Sequence, residues 1–355
     1  MNIEELLIKL ISFKTITGNF KEVCSCYDFI QDYLGDKFYY KKYKYNNYES
    51  LLISTNPDFN NFDILYNGHI DVVSAVDQEF IARIEDDKLF GRGSIDMKGQ
   101  IACILHILKN TTLSKEIGFL ITSDEEIGGH NGAEPISKEH PIKAKLAIIP
   151  DAGENFTFVD SEKALLQIDL VTTGISCHAS VPHLGQNAII NAMNVYSELC
   201  KEFSLDTTKP INDNISINLS KITSGDLYNK VPDKAIWSID IRHSGITKDF
   251  IESKLNQIAS KYSTVYSIHN YVNEFRCDLD NKEIQNFIHV CENFLNKKLK
   301  HINENGASEI GYISNMGIPA LSINPEGYNL HSDNEYVIIS SLYKFQELLK
   351  SHLLS

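Results

Sequence analysis

The chain has 355 residues, enough to bury a sizeable core and to form two domains, and its 43% hydrophobic and 23% charged content is that of a soluble globular protein. A net charge of −14 argues against a nucleic-acid partner, which would call for a basic face, and no apolar run approaches the roughly 18 residues of a membrane span. The seven cysteines, odd in number and without a C-x-x-C pair, read as reduced thiols of a cytoplasmic protein, and the acidic start Met1-Asn2-Ile3-Glu4-Glu5-Leu6 is no signal peptide.

Two apolar stripes, Leu6/Leu7/Leu10/Ile11 and Val23/Tyr27/Ile30/Leu34, predict helix, turn and helix over residues 3–34. Residues 51–54 and 64–66 read as strands, whereas the Tyr- and Asn-rich stretch 39–48 is assigned no element or function. The run Ile64-Leu65-Tyr66-Asn67-Gly68-His69-Ile70-Asp71 delivers a His and an Asp two positions apart, which a strand places on one face at its carboxyl end. A glycine-rich turn, Gly91-Arg92-Gly93-Ser94-Ile95-Asp96, then leads into a helix marked by Met97, Ile101, Ile104, Leu105 and Leu108. Residues 117–122 form a buried-strand run followed by Ser123-Asp124-Glu125-Glu126, and residues 146–150 form another that ends at Asp151. Strands that end in acids or His and alternate with helices make the α/β pattern, in which ligands gather beyond the carboxyl ends of the strands.

The character changes near Lys163. Alternating strands at 164–172, 215–219, 235–242 and 264–272 enclose helices around Ala188–Leu199 and Phe250–Ile258, with Thr247 as a helix cap. That β-α-β-β-α-β order is a ferredoxin-like unit, so residues 163–276 are expected to be a second domain inserted into a first made of 1–162 and 277–355. The tail adds a helix (Ile284, Phe287, Ile288, Cys291, Leu295), a buried strand at 320–324, a loop with His331 and a closing helix.

Each polar residue at these strand ends reads alone as a satisfied loop side chain, and Asp96 alone reads equally as a helix cap. Together, His69, Asp96, Glu126, Asp151 and His331, with Asp71 behind His69 and Glu125 beside Glu126, supply two imidazoles and three carboxylates. That donor set suits a pair of zinc ions, which at about 3.5–4 Å can share a hydroxide and polarise an amide carbonyl. The spare acid Glu125 is then the general base.

Here the sequence resembles the zinc-dependent amidohydrolases and exopeptidases that include aminoacylase, glutamate carboxypeptidase, acetylornithine deacetylase and succinyl-diaminopimelate desuccinylase. The resemblance runs over nearly the whole chain and rests on Gly68-His69-Ile70-Asp71, the 91–99 motif, and Thr122-Ser123-Asp124-Glu125-Glu126-Ile127-Gly128. It implies a di-zinc peptidase-type catalytic domain with an inserted α+β ferredoxin-like lid that also serves dimerisation. Two Zn²⁺ ions are implied, replaceable by Co²⁺ or Mn²⁺: His69 and Asp151 on one, Glu126 and His331 on the other, Asp96 bridging. Asp71 would orient His69, Glu125 would move the proton, and the Asp96–Met97 peptide would be cis.

In the lid, Gly174-Ile175-Ser176-Cys177-His178-Ala179-Ser180 resembles the segment whose His stabilises the oxyanion, in many members from the partner subunit. Asn229 and Arg242 match residues that hold the substrate's carbonyl and carboxylate, a planar Arg fork being suited to the latter. The plain alternative for Arg242 is pairing with Asp240. The implied reaction is deacylation of a small N-acyl amino acid; the alternatives are a carboxypeptidase or dipeptidase, or a catalytically silent binding relative. A silent relative should have lost Glu125 or a ligand, and none is missing. Residues 72–77, 305–310 and 325–327 depart from the family's usual motifs, and these lie where specificity is set.

Overall fold

The computed structural model describes residues 1–205 and 214–355, and these form two compact units. The first comprises Met1–Glu162, Phe275–Glu304 and Ser308–Ser355, and the second Lys163–Glu274 with Asn305–Ala307.

The first unit is built on a six-stranded sheet in the order Tyr39–Tyr45, Tyr48–Ser54, Ile117–Thr122, Asn61–His69, Lys143–Ile148, Ala320–Leu321. Its central strands, Ile117–Thr122, Asn61–His69 and Lys143–Ile148, run parallel, with His69 opposite Thr122. Their carboxyl ends therefore open on the same edge of the sheet, and the chain leaves that edge at His69, Thr122 and Ile148 just before its acidic segments. One face packs Ile64, Tyr66, Phe119, Ile121, Leu146 and Ile148 against the helices Ile3–Ser12, Phe20–Leu34, Lys98–Asn110 and Ile339–Leu354. Leu65, Leu120 and Ala147 face the other way, towards Ile136, Ile310 and Ile313.

Local chemistry explains the elements around the site. Asn2 and Glu5 form a reciprocal capping box at the start of Ile3–Ser12, which buries Leu6, Leu7, Leu10 and Ile11. At its other end the buried Lys98 donates to the carbonyls of Leu10 (3.1 Å) and Phe13 (2.9 Å), satisfying acceptors that the helix terminus leaves open. Lys98–Asn110 is buried nearly all round, as a helix between a sheet and three other helices must be. Met97 packs directly beneath the strand that carries His69: a Cβ on Gly68 would lie 2.7 Å from Met97 Cε.

The Tyr39–Tyr45 strand is an element that sequence reading passed over. It is an edge strand paired antiparallel with Tyr48–Ser54 across a turn in which Asn46 takes a φ of 53°. Its seven residues, all lysine or tyrosine, show no apolar alternation because an edge strand has little face to bury.

The second unit has the strand order Ile215–Ser224, Lys234–His243, Ala164–Thr173, Thr264–Val272, all antiparallel. The helices Ala188–Glu202 and Lys248–Ala259 pack on it, around Trp237, Leu166, Ile168, Val195 and Leu255. Chain order is β-α-β-β-α-β. The unit's edge differs slightly from 163–276: Phe275–Arg276 pairs with Ser161 and Glu162 of the first unit, so the chain has already returned. Among the described residues no helix is long and apolar enough to cross a membrane, and all seven cysteines are free.

Candidate metal centre

His69 ends its strand with its ring buried, and Nδ1 lies 3.0 Å from the backbone carbonyl of Asp71. That contact turns Nε2 outward, to 3.1 Å from Asp96 Oδ1 and 3.4 Å from Asp151 Oδ1. His331, in the loop between Gly327–Tyr328 and Tyr336–Ile338, has Nε2 3.0 Å from Asp96 Oδ2 and 3.0 Å from Glu126 Oε2. The two oxygens of Asp96 thus face two different imidazoles. Glu125 Oε2 stands 3.9 Å from His69 Nε2, beside but outside the shorter contacts.

The Asp96–Met97 peptide is cis. Asp71 meets His69 Nδ1 twice, through its carbonyl at 3.0 Å and its carboxylate at 3.5 Å. The carboxylate also accepts from the backbone N–H groups of Glu125 (3.2 Å) and Glu126 (3.3 Å) and from Thr17 Oγ1 (2.8 Å). It fastens the turn that carries both glutamates, while its carbonyl fixes the imidazole.

Charge balance says what the cluster wants. Four carboxylates (Asp96, Glu125, Glu126, Asp151) meet two imidazoles in a largely buried space. Burial raises the Glu125 carboxyl well above its ordinary value, with Asp151, Asp96 and Glu126 adding and His69 opposing. Burial raises Glu126 as well. Burial works against a charged His69, yet Asp151, Asp71 and Asp96 outweigh it and push its pKa up; Asp96 and Glu126 push His331 up to about 10. Burial also disfavours a charged Asp96, but bonds from His331 and His69 hold its carboxyl below the usual range. Such a cluster draws cations, as protons or as a metal.

Geometry accommodates the metal. A tetrahedral shell with bonds of about 2.0–2.1 Å sets neighbouring donors about 3.3 Å apart. The imidazole–carboxylate pairs here span 3.0–3.4 Å, and donor atoms of His69, Asp96 and Glu126, and of His69, Glu125 and Asp151, fall within 4.8 Å of one another. The residues therefore fit a divalent cation in a nitrogen and oxygen environment.

The three residues expected on the second unit stand apart from this pattern. His178 and Asn229 are exposed, and their loops are paired: Ala179 N donates to the Asn229 carbonyl at 2.9 Å, and His178 bridges Lys230. The His178 ring contacts Ser180 Oγ at 2.7 Å. Arg242 donates through Nε (2.8 Å) and Nη2 (3.3 Å) to Asp240, the plain alternative for it. Moreover, these residues lie at opposite ends of one sheet. Arg242 pairs with Leu165, whereas the His178 and Asn229 loops flank the Lys234–Thr173 pair, roughly 26 Å away at about 3.3 Å per residue.

Sequence reading missed the second layer. Glu335 accepts from Arg92 and from three backbone N–H groups of the glycine-rich turn, and Glu309, buried below the strand ends, accepts from Asn67 (2.9 Å) and Thr122 (2.8 Å). The only signal for Glu335 is an acid four residues after His331 together with an arginine set between two glycines.

The peptidase family M20/M25/M40 profile matches residues 65–355. The chain is similar to the succinyl-diaminopimelate desuccinylase of Buchnera aphidicola subsp. Cinara cedri, 29% identical over 328 residues that cover 82% of this chain and 83% of that protein. It is also similar to that of Rickettsia bellii, 25% identical over 319 residues, 82% of this chain and 81% of that one. Among solved structures it shares its fold with an M20 family metallo-carboxypeptidase from Sulfolobus solfataricus (TM-score 0.80, 19% identity, 99% and 98% of the two chains) and with a tripeptidase from Staphylococcus aureus (0.79, 19%, 99% and 96%). The chain belongs to the peptidase family M20/M25/M40 and is a metal-dependent hydrolytic enzyme.

Proposed function

We propose that this enzyme is a di-zinc deacylase that cleaves the amide bond of a small N-acyl amino acid. The observation that carries the reading is Asp96, whose two oxygens address His69 and His331 separately, at 3.1 and 3.0 Å. His69 and Asp151 would hold one zinc, Glu126 and His331 the other, and Asp96 both, with Co²⁺ or Mn²⁺ able to substitute. The desuccinylase relatives support N-acyl amino acids as the substrate class.

Bound zinc supplies Lewis acidity, polarising the scissile carbonyl and making a water molecule acidic enough to attack at neutral pH. Glu125 does the proton work at Oε2: it takes the proton from the attacking water and delivers it to the departing amine nitrogen. Asp71 holds the Glu125–Glu126 turn and, through its carbonyl, the His69 ring. Arg242 would bind the substrate's free carboxylate, exchanging Asp240 for it, and Asn229 and His178 would hold the carbonyl and the developing oxyanion.

The strand separation supports a homodimer formed through the second unit. A substrate held at Arg242 is too small to reach a His178 some 26 Å along the same sheet, so a second copy would supply His178 and Asn229. The free cysteines support a reducing, cytoplasmic setting.

The test is zinc content together with hydrolysis of N-succinyl amino acids, N-acetyl amino acids and dipeptides, with zinc or cobalt added. Two equivalents of zinc and cleavage of the N-acyl amino acids are expected. Cleavage of dipeptides alone would move the reading to a peptidase, and equal rates on an acid and its carboxamide would remove the carboxylate clamp.

A further inference from the structure

Glu335 is a fully buried carboxylate that is no candidate ligand. Its Oε2 accepts from Arg92 Nη1 (2.8 Å) and Gly93 N (2.9 Å), and its Oε1 from Ile95 N (3.0 Å) and Asp96 N (3.2 Å). A carboxylate has about four lone-pair sites, so this one is saturated and has none to give a metal. Three of the donors are peptide N–H groups of a single turn, converging as a nest on an anion that another loop supplies. Gly93 makes the nest possible: its φ is 80°, and a Cβ there would lie 2.8 Å from Val72 Cγ1.

The loop that supplies the anion is the one that carries His331. Arg92 Nη2 reaches the Ser332 carbonyl at 3.1 Å, and Gly91 N donates to the Glu335 carbonyl at 2.9 Å. His331 itself is half-exposed, at a left-handed φ of 59°, and its loop is tied down on its other side through Asn334, to Glu79 at 3.2 Å and Arg83 at 2.7 Å. His69, by contrast, is fixed by the strand pairing with Thr122 and by the Asp71 carbonyl, neither of which involves Glu335.

The geometry points to Glu335 as a positioning residue that locks the Asp96 turn to the His331 loop and so sets the affinity of the metal subsite that these two share with Glu126. The inference rests on the two-metal reading above, in which Asp96 serves both subsites and His331 only one, so the loss falls chiefly on the His331 subsite. Glu335→Gln is the direct probe, since the amide turns an NH₂ donor towards backbone N–H donors. Metal-stripped protein would be titrated with Zn²⁺ against a chromophoric chelator and, separately, with Co²⁺ while its visible absorption is followed.

The expected result is a first equivalent close to wild-type affinity and a second weakened about 10–100-fold, the usual size of an outer-shell effect, in a protein with a cooperative melt. Two equivalents at wild-type affinity, or equal weakening of both, would overturn the assignment. If Glu335→Gln does not fold, Arg92→Lys decides in the same titration: it keeps the charge but loses the fork that spans the two loops. Selective loss at the second equivalent supports the assignment, and unchanged binding overturns it. A wild-type protein that takes up fewer than two equivalents defeats the two-metal reading instead, whatever the variants do.

Discussion

The first unit holds its candidate site residues in a way that the second does not. His69, Asp96, Glu125, Glu126 and Asp151 sit at strand ends and tight turns, little exposed, and neighbouring loops fasten them through Asp71 and Glu335. His178 and Asn229 are exposed on paired loops, and Arg242 already grips a carboxylate of its own strand. The difference follows from the two jobs. Gathering buried carboxylates is costly unless their geometry is set in advance, whereas residues that meet a substrate must be reachable and able to change partners. The first unit is built for placement and the second for encounter.

The sharpest test of that contrast removes chemistry without removing placement. Glu125→Gln should keep bound metal and a wild-type melt while turnover falls by at least about 10²–10⁴, because one group serves two proton transfers. Metal content and kcat, measured on the same sample, check it. Wild-type-like turnover would take the base assignment away from Glu125.

On the encounter side, His178→Ala should lower kcat by about 10²–10³ and leave metal content unchanged. The separation of roughly 26 Å at about 3.3 Å per residue implies a stricter outcome. Mixing Glu125→Gln and His178→Ala protein, each nearly inactive, and letting subunits exchange should restore about a quarter of wild-type activity, since half the dimers are mixed and each has one intact site. If mixing restores nothing, His178 acts within its own chain and the proposed exchange between copies is wrong.

A smaller effect is expected at Arg242. Arg242→Ala removes a charge-assisted grip that is typically worth about 1.5–3 kcal/mol, so KM for N-acyl amino acids should rise about 10–100-fold with kcat little changed. Carboxamide analogues, which cannot use the fork, should be hydrolysed equally by variant and wild type. A fall in kcat without a change in KM would make Arg242 a structural partner of Asp240.

The same contrast explains what could be read from the sequence. The candidate ligands of the first unit sit in short motifs at the ends of apolar strands, so period and spacing already marked His69, Asp96, Glu126 and Asp151 as one set. The β-α-β-β-α-β order of the second unit was legible for the same reason. Residues that act across long separations were not. Glu335 meets Asp96 from far along the chain, and nothing local marks it as more than a loop acid. The Tyr39–Tyr45 strand lacked an apolar alternation to reveal it. The ends of the second unit's sheet became visible only from its register, which sets Arg242 far from His178.

The last test separates burial from metal binding, which act together at the candidate centre. Glu162 is as buried as the donors but lies on the last strand before the chain enters the second unit, where it accepts from Ser308 N (2.7 Å) and Ser308 Oγ (3.0 Å). Burial raises its carboxyl from 4.5 to about 8, against the pull of the Ser308 bonds. Between those two values the folded chain keeps a proton that the unfolded chain has released. The folded state then binds more protons, so this group's contribution to stability is full below about pH 4.5 and declines as pH rises towards 8. Glu162→Gln, neutral at every pH, should lack that decline. Melting temperatures of metal-free protein across this range should show the variant gaining on the wild type as pH rises, by about 2–4 °C for each kcal/mol recovered in a large domain. A gap that stays constant with pH would mean that Glu162 is ionised in the folded protein, and that burial alone does not set the charge of its carboxylates.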